Sequence, residues 1–437
     1  MPIALSLLGH VPLSPDRLTR SAAREWLARA AVWFEALGDS VLDTALVRDS
    51  EEKPVLLVEF HPAATPVELR LGGTGRVRAN AVTTPAGPGY HIHLCERMRQ
   101  FAKEFEIAWD EDACQDPTGY FTTTDRQTCE AHFLQWLATI GGAAKDRTGP
   151  EPTFIGLPTA LGFTGPGEVL TPLGPRDRAW LAALDADPNL GRDFYPWWKP
   201  DPDAEFYRNR ALVRLWCEFP WRPPLTEDEG ELTDQIANDL ATAYKLDPAG
   251  ELPWREWIEV LDAIENDEDG HTVNPTDEAL KEAVTQRAFE AEADEPIGYR
   301  RRPVRLALSN GWSIEIPGDF THGWDDERTW TGWDATRTVW FHPVGFTKPD
   351  GSHPSPVEAV AVGRRSLPEG SPVPPLDRDG LRGEAVFGEA DEDGRRVWRL
   401  SGVTATDHQL VVCHVYAESE ADRAWAEQTW RSLRHAN

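Results

Sequence analysis

The sequence predicts an α+β protein with an N-terminal antiparallel meander and covering helices, an acidic helical middle region, and a C-terminal curved antiparallel sheet with a closing helix. Three observations carry this expectation. Near the N-terminus an apolar period of about 3.6 residues runs into four short β-prone runs, and the acidic middle holds three amphipathic helical patterns. After the abrupt run Arg300, Arg301, Arg302 the pattern turns strand-like. The 437 residues, at roughly 150 per domain, allow about three units, expected at 1–145, 146–295 and 300–437.

The first helix is expected from Ser14 as N-cap and Pro15 at the first helical position. Leu18, Ala22, Trp26, Ala30, Trp33 and Leu37 lie along one face, and Gly38 closes it. Runs at 41–48, 54–61, 66–71 and 76–84, separated by the turn-like DSEEK, PAAT and GGTG segments, read as the meander. Two further helices, one through Leu94, Met98, Phe101 and Phe105 and one through Phe133, Trp136, Leu137 and Ile140, complete a layer over the sheet. Residues 141–225 are rich in Gly, Pro and Trp, and their aromatic content argues that they pack, with helices near 176–186 and 202–217.

The acidic helices start at a capping box, Thr226 to Glu229, followed by Leu232, Ile236, Leu240 and Tyr244. The second helix carries Trp254, Trp257, Ile258 and Leu261, and the third Leu280, Val284 and Ala291. In the last third LALSNGWSIEIPGDF, RTVWFHPVGF, VEAVAVGRR and LVVCHVYAE read as strands. A hairpin is expected at Asp393-Gly394, and a helix capped by Ser419 closes the chain, with Ala421, Trp425, Trp430 and Leu433 on its apolar face.

Composition excludes several classes of function. Lys plus Arg is 44 against 73 Asp plus Glu, a formal charge of -29, and such a field repels a phosphate backbone. No nucleic-acid partner is expected. No apolar run approaches the ~18 residues of a membrane span, and Met1 to Ser14 lacks the basic and small-residue features of a secretory signal, so the expectation is a cytoplasmic protein without a membrane partner. The five cysteines, Cys95, Cys114, Cys129, Cys217 and Cys413, form no C-x-x-C pair and are read as inert thiols.

Residues 304–434 resemble the PsbP/Mog1-type α+β module in the GWSIEIPGDF segment, with its aromatic residue, strand and proline in that order, and in the WAEQTWRSLR ending. Members of that family are mostly small non-catalytic binding modules, one branch docking on photosystem II and another on a small GTPase. The resemblance therefore implies binding, and it transfers no functional residue. The chain is expected to differ from exported members in carrying no export signal.

Several constellations are candidates for chemistry. The Gly-Pro-Gly turn before a helix could hold an anion on free amides, which nominates Gly87, Gly89, Tyr90 and His91; no Lys-Ser/Thr follows as in a Walker loop. His91 and His93 lie two apart, on different helix faces, and cannot chelate one ion together. Asp110, Asp112, Asp116 and Asp125 flank a turn-forming DPTGYF segment. Glu265, Asp267, Asp269 and Gly270 follow the order of an EF-hand loop, but Pro275 and Thr276 stand where the loop needs its closing residues. No metal and no cofactor are expected. Trp197 and Trp198, beside Asp201 and Asp203, could stack on a ligand.

No nucleophile elbow, zincin or Walker motif is present. Residues 218–295 hold 23 acids against five bases (Arg222, Lys245, Arg255, Lys281, Arg287), a net -18. The resulting expectation is a non-enzymatic interaction protein that binds a basic protein partner through an acidic surface around Glu227, Asp228, Glu229, Glu265, Asp267 and Asp269. A toxin-neutralising (immunity) or defence-accessory role is one concrete form of it. The alternative is a small-ligand or metal-binding sensor, or an enzyme, with its pocket at Gly87–His91 or Trp197–Trp198.

Overall fold

A computed structural model describes residues 2–12, 19–38, 41–145, 152–164, 169–274, 277–291, 295–345, 353–378, 380–392 and 394–436. Expectations resting on Ser14, Pro15, Leu18, Pro275, Thr276 and Asp393 lie outside the described residues. The architecture is α+β, as expected.

The chain opens with β1 (Ala4–His10) and α1 (Arg20–Glu35), then the meander β2 (Asp43–Arg48), β3 (Pro54–Glu59), β4 (Val67–Leu71) and β5 (Arg76–Val82). The helix α2 (Pro88–Glu104) and the short strand β6 (Ala108–Trp109) follow. The sheet has six strands in the order β2-β3-β4-β5-β1-β6, because β1 inserts antiparallel beside β5 with Leu7 opposite Ala79. Period-two burial in β1 and β5 directs Leu5, Leu7, Val77 and Ala79 into the core. The helix α1 is capped by Thr19, whose hydroxyl accepts the Ala22 amide, and it buries Trp26, Leu27, Ala30 and Phe34. The short helix α3 (Tyr120–Thr123) and α4 (Arg126–Ala144) complete this layer.

The Pro/Trp-rich segment is divided among neighbouring cores. It contains β7 (Thr153–Phe154), β8 (Gly162–Phe163), β9 (Val169–Thr171), β10 (Gly174–Arg176), α5 (Arg178–Ala186) and α6 (Ala204–Cys217). Leu181, Leu184, Phe194, Tyr195, Trp197 and Phe206 pack into the N-terminal core, whereas Phe163 and Leu170 join the C-terminal one. Strand β9 pairs parallel with β7 and antiparallel with β10.

Helices α7 (Glu227–Leu246), α8 (Trp254–Glu265) and α9 (Glu278–Glu290) pack with α6 around Leu215, Ile236, Leu240, Trp257, Val260 and Val284. Only half of the expected capping box forms: Thr226 Oγ1 accepts the Glu229 amide at 3.3 Å, while the Glu229 carboxylate turns to Arg222 and Thr321.

The last third holds β11 (Val304–Ala307), β12 (Trp312–Ile316), β13 (Thr321–Trp324), β14 (Trp330–Trp333), β15 (Arg337–Val344), α10 (Pro356–Gly363), β16 (Ser371–Arg378), β17 (Leu381–Glu392), β18 (Arg395–Ala405), β19 (Leu410–Ala417), α11 (Arg423–Arg431) and β20 (Arg434–His435). Seven strands form an antiparallel sheet in the order β13-β14-β15-β19-β18-β17-β16, and β8 extends a second sheet, β20-β12-β11-β8. The closing helix α11 buries Ala426 and Trp430. The VEAVAVGRR run, expected as a strand, is instead helix α10. Ser355 and Glu358 form a full capping box and Pro356 occupies the first turn, so local cap chemistry outweighs the β-branched valines.

Candidate functional site

The two segments nominated separately for ligand binding meet. The Gly89 amide donates to the Trp197 carbonyl at 3.0 Å, and the Trp197 amide donates to the Ala86 carbonyl at 2.9 Å. Gly87 sits at φ 115°, and a Cβ on it would lie 2.7 Å from Tyr195 Cβ; a Cβ on Gly89 would lie 2.7 Å from the Lys199 carbonyl. These glycines therefore permit close backbone approach. The Gly89 amide, expected to be free for an anion, is used by a chain carbonyl.

Trp197 is fully buried, which removes it from the surface-stacking role considered for it. Its ring lies 5.5 Å from Tyr90, 5.7 Å from His61, 4.9 Å from His93 and 4.5 Å from Phe206. Trp198 is half-buried, with the Arg192 guanidinium 5.2 Å above its ring. Three polar atoms of the cluster, Tyr90 Oη, His61 Nε2 and Trp197 Nε1, are buried without a hydrogen-bond partner. Burial pushes the Tyr90 hydroxyl well above its usual range, with the charge of Glu59 adding to it. Burial also holds His61 well below the usual histidine range, assisted by Arg210 and Arg214.

Beside this cluster runs a buried ionic seam between α6 and α7. Arg210 Nε donates to Asp239 Oδ2 at 2.8 Å while its Nη2 reaches Oδ1, and Arg214 Nη1 donates to Oδ2 at 3.2 Å. Burial pushes the Glu218 carboxyl up to about 7, against the opposing pull of Arg214. Burial likewise raises Glu59, again opposed by Arg214.

The nominated acids divide into two groups. Glu227 and Asp228 are exposed in the first turn of α7, Asp269 is exposed, and Glu265 pairs with Lys281 at the surface. Glu229 faces inward and is corrected to a structural role. It accepts from Arg222 Nη1 at 2.7 Å, from the Leu225 amide at 2.9 Å and from the Thr321 hydroxyl at 2.6 Å. Asp267 is also internal, accepting from the Thr272 amide at 2.6 Å and its hydroxyl at 2.9 Å. Asp125 caps α4, and Asp116 turns toward His91, so the DPTGYF acids are employed separately.

Two arrangements escaped the sequence reading. A cleft of about 500 Å³ between the turn after α6, the 300–303 segment, β12 and α11 is lined by Trp221, Arg300, Arg301, Arg302, Arg337 and Trp425. Its cations have internal partners: Arg300 donates to the Gly318 and Phe320 carbonyls, Arg301 stacks on Trp221 and pairs with Glu259, and Arg302 pairs with Glu295. The arginine run that marked a boundary thus fastens two regions together. The second arrangement surrounds His91, whose Nδ1 is 2.9 Å from Thr83 Oγ1 and whose Nε2 is 3.1 Å from both Thr118 Oγ1 and Asp116 Oδ1. It joins residues distant in sequence, and the i, i+4 pair His91 and Cys95 was its local signal.

No protein-family model matches the chain, and no curated protein matches it. Among solved structures, a Bacteroides thetaiotaomicron VPI-5482 protein is similar over 30% of this chain at 12% identity and a TM-score of 0.26; this chain covers 48% of that one. Cyanobacterial PsbP from Synechocystis sp. PCC 6803 is similar over 33% of this chain and 98% of its own, at 9% identity and a TM-score of 0.19. Among the described residues no helix is long and apolar enough to cross a membrane.

Proposed function

We propose that the chain is a non-catalytic binding protein that docks a basic protein partner on its acidic helical region. The observation that supports this is the sorting of its carboxylates. Glu229 and Asp239, with arginine partners, lie inside, and Glu259 and Glu295 pair with Arg301 and Arg302 at the surface, while Glu227, Asp228, Glu231, Glu268, Glu282 and Glu290 are exposed and carry no ion pair among the described residues. Arg222 is held by Glu229 and Lys281 by Asp262 and Glu265, and the exposed Lys245, Arg255 and Arg287 leave the region of 23 acids and five bases strongly negative. Phe289, 91% exposed on α9, adds an apolar contact among these charges. A basic toxin neutralised on this surface is one form of the reading. The PsbP/Mog1-like reading of 304–434 belongs to the same proposal and rests on its sequence features.

The test compares affinity capture from native lysate by the wild-type chain and by a Glu227→Gln, Asp228→Asn, Glu231→Gln variant, at low and high salt. The expected result is basic proteins retained by the wild type, released by salt and lost with the variant, because exposed charges act mainly on encounter. Capture that is identical for both chains, or independent of salt, overturns the reading.

A further inference from the structure

We propose that His91, Cys95 and Asp116, with Cys129 beside them, form a buried site for a thiophilic divalent cation such as Zn²⁺. One face of α2 presents His91 and Cys95 a single helical turn apart. The DPTGYF turn contributes Asp116, and the first turn of α4 contributes Cys129. A ring nitrogen of His91, the Cys95 sulfur and an Asp116 carboxylate oxygen all lie within 4.8 Å of one another. Tetrahedral zinc bonded at about 2.0–2.3 Å sets its ligand atoms roughly 3.3–3.8 Å apart, so small side-chain adjustments suffice. The His91 Nε2 to Asp116 Oδ1 separation, 3.1 Å, is already near that span.

Burial and chemistry agree with this assignment. His91, Cys95 and Cys129 are 0% exposed, and the Asp116 side chain is 6% exposed. Thr118, from the same turn as Asp116, places its hydroxyl oxygen 3.1 Å from His91 Nε2. The imidazole, carboxylate and thiol of His91, Asp116 and Cys95, with the Cys129 thiol nearby, are the donor types of borderline-soft cations. A structural His–Asp pair alone would need neither sulfur.

The surroundings also supply outer support. Thr83 Oγ1 lies 2.9 Å from His91 Nδ1 and 3.3 Å from the Ile3 carbonyl. An Nδ1–H donating to that hydroxyl, while the hydroxyl donates to the carbonyl, leaves the Nε2 lone pair facing Asp116 and Cys95. Metal-bound histidines are commonly oriented this way. Asp116 is further held by the Thr118 amide at 2.8 Å and the Phe121 amide at 2.7 Å. The His91–His93 spacing gave no hint of this site, because the partner of His91 is one turn along at Cys95.

Each coordinating thiol releases its proton to solvent as the metal–sulfur bond forms, so affinity rises with pH. Without metal, burial holds the Cys129 thiol up at about 12 and Cys95 well above its usual range, so both are neutral thiols at pH 7. Because the pocket is closed, loading is expected during folding.

The full chain is expressed with added Zn²⁺ or Co²⁺ and purified without chelator, and bound metal is counted by elemental analysis. The expected result is about one metal per chain, with a thiolate-to-cobalt charge-transfer band that Cys95→Ser weakens, Cys95→Ser with Cys129→Ser abolishes, and Cys114→Ser leaves intact. Should Cys95→Ser fail to fold, the wild type refolded with Zn²⁺ or with EDTA decides: the zinc-loaded chain is expected to melt at a higher temperature. Metal-free protein that refolds and melts identically under both conditions overturns the proposal. So does metal retained at full occupancy in Cys95→Ser.

Discussion

The Gly89 amide and the Trp197 carbonyl, 108 positions apart in the chain, are joined by a 3.0 Å hydrogen bond that lays the 195–199 segment across the start of α2. Space there is the constraint. A methyl group on Gly89 would sit 2.7 Å from backbone atoms of Trp198 and Lys199, which cannot rotate away as a side-chain tip could. Gly89→Ala is therefore expected to cost about 1–3 kcal/mol, read as a lower urea midpoint with an unchanged slope. An unaffected midpoint would mean the segment is free to lift.

Tyr90 offers the opposite case. Its hydroxyl is buried and has no partner among the described residues, so the folded state already bears its desolvation. Tyr90→Phe keeps the ring packed against Phe60 and Trp197 and is expected to leave stability within about 0.5 kcal/mol or to raise it. Thermal melts distinguish this from the loss of about 1 kcal/mol or more that removal of a satisfied hydrogen bond would bring.

The Arg210–Asp239–Arg214 group makes a sharper prediction. All three side chains are at most 6% exposed, so Asp239→Asn removes the one carboxylate that two guanidinium groups share in a buried seam. The expected loss is about 3–5 kcal/mol by chemical denaturation. Replacing all three together by Met or Leu of similar volume is expected to recover most of it, since the intact group is offset by its own desolvation. Equal losses from the single and triple variants would contradict that account.

How far the sequence reveals these features depends on how local each signal is. The helices were legible because period and caps lie within one element: the Thr226 cap and the Trp26, Ala30 stripe act as read, whereas Ser419 caps a short 3₁₀ turn, Glu420–Asp422, that precedes α11. Strand β1 was also legible in principle, since Ile3, Leu5 and Leu7 alternate, yet the segment drew attention only as a possible leader. Helix α10 was misread because valines outweighed an adjacent Ser-Pro-x-Glu start. Long-range pairing has no such local trace. Nothing near Asp116 announces His91, and nothing near Glu229 announces Thr321, so the inward turn of one acid and the outward display of its neighbour Asp228 could not be separated.

Stability is expected to depend on pH with two opposing contributions. Burial, reinforced by Arg97, holds His93 down to about 4, and burial, reinforced by Arg399, does the same for His414. Their folded pKa lies below the unfolded 6.5, so the unfolded chain binds more protons between these values. Their stabilisation is full above about 6.5 and fades as pH falls toward 4, by on the order of 2 kcal/mol each. Glu218 acts in the other direction. Its carboxyl, raised to about 7 from 4.5, contributes stability that is present below pH 4.5 and lost as pH rises through 7. Melting curves of wild type and Glu218→Gln at pH 4 and pH 8 should therefore diverge at pH 8, with the variant higher, and nearly coincide at pH 4. Divergence at the acid end alone would reverse the assignment.

Glu229 links two regions through Thr321, and its removal should be felt on both sides. Its carboxylate receives Arg222, the Leu225 amide and the Thr321 hydroxyl, while Arg222 also donates to Thr321 Oγ1 at 2.7 Å and to the Asp319 carbonyl at 2.7 Å. Glu229→Ala leaves the half-buried Arg222 without its carboxylate and the Leu225 amide without an acceptor, at a cost of about 2–4 kcal/mol. Glu229→Gln retains an acceptor for Leu225 and Thr321 and should lose less. Hydrogen exchange gives the regional readout. Amides of β13 and of the first turn of α7 should lose protection together in Glu229→Ala, while β17 and β18, at the far side of the seven-stranded sheet, keep theirs. Loss confined to α7 would show that the carboxylate serves its own helix and that the arginines around Arg300 hold the regions together without it.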